Sequence, residues 1–103
     1  MLRELLELNR QAADRGDFEV AYHLLMAALH AADHAKELSA LDDIARRGRE
    51  QGKALEQVKP PHPLSRRHAD LRGQTSVFDS FAAHVEAVRL RLVSDAQRAK
   101  RQP

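Results

Sequence analysis

His30 and His34 stand four residues apart in the stretch His-Ala-Ala-Asp-His, the spacing that stacks two imidazoles on one face of a helix. Two such rings can share one zinc or nickel ion. The glutamate that follows the first histidine in helical metalloprotease motifs is missing here, and the plainer reading of the pair is an exposed polar face on an alanine-rich helix. Asp33 points ~60–100° away on the helical wheel and makes a poor third ligand. His23 lies on the same face, within about 40° of the pair, but about 10.5 Å back along the axis from His30. A third ligand must therefore come from another element, with His62, His68 and His84 as the remaining histidines.

A second concentration of polar chemistry is the run from Pro60 to Arg72. Ser65, Arg66 and Arg67 could hold a carboxylate or phosphate, with His62, His68 and Arg72 around them. A helix starting after Ser65 would add free N–H groups to such a site. Ser65, His68 and Asp70 are close in sequence, but a triad depends on geometry rather than nearness. The chain has no Gly-x-Ser-x-Gly elbow and no phosphate loop, which leaves His62 and His68 as the general-base candidates and argues against an enzyme. Arg89, Arg91, Arg98, Lys100 and Arg101 could meet phosphates, but no aromatic residue interleaves with them, which argues against nucleic acid as a partner.

Composition sets the frame for these groups. Of 103 residues, 43% are hydrophobic, but 17 are alanine and only 27 are larger apolar residues. One helical domain over residues 1–103 is the natural reading at this length. Zero cysteine removes disulfides, thiol nucleophiles and cysteine zinc sites. No apolar run approaches the roughly 20 residues of a bilayer span, and Met1-Leu2-Arg3-Glu4-Leu5 reads as amphipathic helix rather than signal peptide. A cytoplasmic protein is expected, without cofactor. The excess of arginine over lysine, 13 to 4, with abundant alanine, fits a GC-rich bacterial gene. An alanine-rich core buries little area per residue, so self-association, for instance as a homodimer, would add stability. Residues 1–58 carry 8 basic and 11 acidic groups, and residues 59–103 carry 9 and 4, so the two halves should attract.

Periodicity predicts an all-α antiparallel bundle of four helices, about 2–14, 18–35, 36–58 and 77–99. Leu2, Leu5, Leu8 and Ala12 stripe the first, and Gly16 and Asp17 suit a helix stop and a following N-cap. Phe18, Ala21, Leu24, Leu25, Ala28, Leu29 and Ala32 stripe the second, opposite the histidines. In the third, Gly48 and Gly52 fall on the seam with Leu38, Leu41, Ala45 and Leu55, where they either permit close contact with a facing helix, the favoured reading, or break the helix near Gly52. Pro60 and Pro61 must end it. Residues 59–75 form a long loop, with room for a short helix between a Ser65 cap and a Gly73 stop. Ser76 and Asp79 have capping-box spacing before the last helix, striped by Phe78, Phe81, Val85, Val88, Leu92 and Ala99 and widened by Ala82 and Ala96. The final residues should fray.

The stretch Leu5…Leu8…Ala12…Gly16-Asp17-Phe18-Glu19-Val20-Ala21…Leu25…Ala28-Leu29 resembles one tetratricopeptide repeat. Asn9 and Ala12 depart from that pattern, which prefers a small residue and tyrosine there, and no proline follows the second helix. A shift of 36 aligns Gly16 with Gly52 and Leu5 with Leu41, but Pro60 cuts that copy short. The resemblance implies a helical hairpin and protein binding. A non-enzymatic interaction or self-associating protein is therefore the leading expectation. The alternative is a small-ligand or metal sensor using His30, His34 and the Arg-rich loop 62–72.

Overall fold

In a computed structural model that describes residues 1–101, the chain is all-helical, with no strand among those residues. α1 spans Leu2–Asp14, α2 Phe18–Ala35, α3 Leu38–Glu56, α4 Arg66–Leu71 and α5 Val77–Arg101. The first two helices have the bounds that periodicity predicts. Between them Gly16 takes φ +78°, open to glycine without Cβ strain, and Asp17 N–H closes the turn on Ala12 O at 2.9 Å. Asp17 occupies the N-cap of α2, but its side chain makes no capping bond and sits 3.5 Å from Arg15 instead.

The third helix is shorter at both ends than expected. Lys36 turns left-handed at φ 57° and Glu37 N–H returns to Ala32 O at 2.9 Å, so the chain reverses before α3 begins. At its far end α3 stops at Glu56 rather than at 58. It runs unbroken through both glycines. A Cβ on Gly48 would lie 2.9 Å from Phe81 Cδ2, and one on Gly52 would lie 3.2 Å from Phe78 Cβ. The glycines thus let the α5 rings rest on the α3 backbone.

A fifth helix adds to the expected four. α4 lies inside the connection, where Ser65 Oγ accepts the His68 N–H at 3.4 Å and Gly73 at φ +68° ends it. The expected Ser76–Asp79 capping box does not form, because the Asp79 carboxylate takes both its bonds from Arg66. α5 runs on to Arg101, and the fraying expected of the last residues falls on 102 and 103, outside the described residues.

Packing orders the long helices as two hairpins side by side. α1 packs on α2, α3 on α5, and α2 on both α3 and α5, while α1 and α5 are not a packed pair. Pairings across helices give directions. Gly52 meets Phe78, Gly48 meets Phe81 and Asp42 meets Arg89, so α3 and α5 are antiparallel. Leu6 and Asn9 meet Arg47 and Gln51, so α1 and α3 run parallel. Tyr22 meets Phe78 and Asp33 meets Arg91, so α2 and α5 also run parallel. The body measures 58 × 31 × 15 Å, too thin for more than two helix layers at 8–10 Å spacing.

Leu25, Leu29, Leu41, Ile44, Leu55, Phe81 and Val85 form the sealed core. Each such side chain contributes roughly 1.5–3 kcal/mol by leaving water. Not every stripe residue is sealed. Leu24 is only half-buried at the margin of its stripe, Leu8 is 49% exposed, Ala82 is exposed, and Ala96 and Ala99 lie beyond Leu92, the last buried residue of α5.

Candidate functional site

α2 builds the first candidate. Its interior lacks glycine and proline, so nothing interrupts the helix. The stripe from Phe18 through Ala32 turns inward, and His23, His30 and His34 all end up exposed on the opposite face. No hydrogen bond or ion pair engages these three imidazoles among the described residues, which leaves the His30 and His34 nitrogens open to an ion. Asp33 pairs with Arg91 of α5. The expected third ligand is not there. His62, His68 and His84 stay apart from the pair, and among the described residues no three His, Cys, Asp or Glu side chains gather to hold a metal ion.

The connection between α3 and α5 builds the second. Arg66 clamps it: its backbone N–H donates to Glu56 Oε2 of α3 at 3.0 Å, and its guanidinium donates twice to Asp79 of α5 at 2.9 Å. Those two bonds hold the Asp79 carboxyl below its ordinary value, against the opposing effect of partial burial. Ser65 is buried and its hydroxyl is occupied as the α4 cap. His62 Nδ1 accepts the Leu64 N–H at 3.0 Å, which places a neutral ring's proton on Nε2, and the ring stands edge-on to Phe18 at 5.7 Å. Arg72 donates to Pro63 O at 3.3 Å and Gln74 Oε1 at 3.2 Å. His68 is half-buried and Arg67 exposed.

Of these six residues, His62, Ser65, Arg66 and Arg72 use side-chain groups within the connection or on the helices it joins. Only Arg66 reaches the groove between α3 and α5, about 750 Å³, with Gly48, Gly52 and Phe78 along it and Arg49 and Lys53 beside it. No hydrogen bond joins the Ser65 hydroxyl to the His68 imidazole, so the neighbours in sequence form no nucleophile–base pair.

The basic residues of α5 serve the fold in part. Arg89 donates to Asp42 of α3 at 2.6 Å and Arg91 pairs with Asp33 of α2, so the acidic and basic halves meet within one chain. Arg98 lies 4.0 Å from Asp95 on the same helix.

Sequence reasoning missed one polar feature altogether. Asn9 of α1 and Gln51 of α3 are buried and exchange amide bonds of 3.0 and 2.7 Å. Asn9 Nδ2 also donates to Ala21 O of α2 at 2.7 Å. The signal was positional: Asn9 falls on the α1 stripe between Leu5 and Ala12, and Gln51 on the α3 seam between Gly48 and Leu55. One amide pair thereby joins three helices, with every buried side-chain polar atom partnered among the described residues.

Among the described residues, no helix is long and apolar enough to cross a membrane. Comparison with family models, curated proteins and solved structures finds no match to this chain.

Proposed function

We propose that this chain is a small interaction protein without catalytic chemistry, and that it associates with itself or another protein through the outward face of α2. The observation that carries this reading is the make-up of that face. Val20 is 50% exposed, Leu24, Ala27 and Ala31 are half-buried, and they recur at four, three and four residues beside the histidines. Glu19 and Asp33 are the only acidic residues in α2, and it has no lysine or arginine. A partly exposed apolar line of this kind, beside a polar ridge, is a surface that a partner covers. A cytoplasmic place goes with the reading.

The same proposal takes the α1–α2 hairpin as tetratricopeptide-like, within an arrangement of four long helices whose chain neighbours alternate in direction. The buried Ala21 and Ala28, the left-handed Gly16 and the parallel pairs α1/α3 and α2/α5 support it. Stacked helical hairpins expose binding surfaces and require neighbours to cover their ends. A small-ligand sensor built on residues 62–72 has less support, since most of its polar groups are engaged internally. Sedimentation across a wide concentration range, with a pull-down using Ala27→Arg as control, tests the proposal. Association lost in Ala27→Arg is the expected outcome. A monomer at every concentration that also captures nothing would contradict it.

A further inference from the structure

The outward face of α2 has two features that a single chain leaves incomplete. His30 and His34 present a two-ligand chelate with no third ligand within the described residues. The apolar line beside it, Val20 to Ala31, is left partly exposed. A second copy of the same helix would cover the line and complete the chelate. We propose that α2 pairs antiparallel with α2 of a second copy across Ala27, and that a divalent ion of the zinc or nickel class bridges His30 and His34 of one copy to His23 of the other. This rests on the self-association reading above and names its partner and its ligand.

The helix geometry fits such a pair without adjustment. A two-fold axis beside Ala27, perpendicular to α2, brings like flanks together, so the histidine flank of one copy meets that of the other. At 1.5 Å per residue, His30 stands 4.5 Å beyond the axis and the second copy's His23 about 6 Å beyond it, a mismatch of about 1.5 Å. His34 follows one turn on, so the three rings surround one point, and the symmetry generates a second such site. Three imidazoles with a water are a familiar zinc set. The other flank brings Leu24 of one copy against Ala31 of the other, and alanine at the crossing lets the backbones approach.

Sedimentation equilibrium of the full chain with zinc chloride, nickel chloride or a chelator tests the assignment. Linkage requires the ion to tighten dimerisation and the dimer to tighten ion binding by the same factor, here about tenfold or more. His23→Ala, His30→Ala and His34→Ala should each abolish the zinc effect while helix content by circular dichroism is unchanged. His84→Ala, on α5, should leave it intact. Zinc binding to a persistent monomer would overturn the bridge. Dimers equal in zinc and chelator, lost in Ala27→Arg but not in the histidine variants, would overturn the metal site and leave self-association standing. A chain monomeric under every condition would overturn both.

Discussion

The two faces of α2 have nearly the same composition and opposite fates. Inward, Ala21, Ala28 and Ala32 are completely buried, with Leu25 and Leu29, under α1, α3 and α5. Outward, Ala27 and Ala31 with Val20 and Leu24 keep partial exposure beside three histidines. Alanine and leucine alone do not decide which surface is sealed. A neighbour does, and the inward neighbours are held in place by contacts far apart in sequence: Phe81 on Gly48, Asn9 on Gln51, Arg89 on Asp42.

The inward face should therefore break the fold when altered, and the outward face should not. Leu25→Ala leaves a cavity at a fully buried position and should cost about 2–5 kcal/mol in chemical denaturation. Val20→Ser, on the same helix but half-exposed, should move the monomer's stability by no more than about 0.5 kcal/mol. Equal losses at the two positions would dissolve the contrast.

The glycine and amide contacts sharpen the contrast next. Gly48→Ala gains helix propensity, but its Cβ would press on the buried Phe81 ring at 2.9 Å, so a net loss of about 1–2 kcal/mol is expected from overpacking. Asn9→Ala strips Gln51 and the Ala21 carbonyl of a partner and should cost about 1–3 kcal/mol. The double variant Asn9→Leu with Gln51→Leu should lose less than the two single changes added together, since both halves of the pair disappear at once. Additive losses would mean the two amides do not act as a unit.

A small, pH-dependent effect belongs to the surface clamp of α4. The Asp79 carboxyl is lowered in the folded chain by hydrogen bonds from Arg66, so its contribution is present above the ordinary carboxylate range and fades as pH falls through the lowered value. Arg66→Ala should cost little at neutral pH, given the exposure of both partners, and progressively less as pH falls and the Asp79 carboxyl takes up its proton. Thermal melts of the two chains at neutral and acid pH measure that difference.

Helix positions were legible because periodicity is local. The stripes of Leu2–Asp14 and Phe18–Ala35 state their own bounds, and Ser65 and Gly73 mark α4 from its flanks. What periodicity does not carry is the partner of each polar group. Asn9 looked like a departure from a repeat pattern because its partner, Gln51, lies 42 residues away. Asp79 had the spacing of a cap, but a guanidinium from the preceding connection outcompeted the backbone N–H. Lys36 gave no sign of a left-handed turn, since lysine carries no preference for one. The histidine ridge was readable as a face; that no third ligand joins it among the described residues depends on tertiary placement.

The cysteine-free chain permits a direct test of what covers the outward face of α2. A single Ala27→Cys substitution, oxidised at moderate concentration, should give a covalent dimer far faster than Ala83→Cys on the exposed side of α5, because the proposed two-fold axis passes beside Ala27. Equal, slow cross-linking at the two positions would show that α2 does not meet α2 of a second copy and would contradict the account.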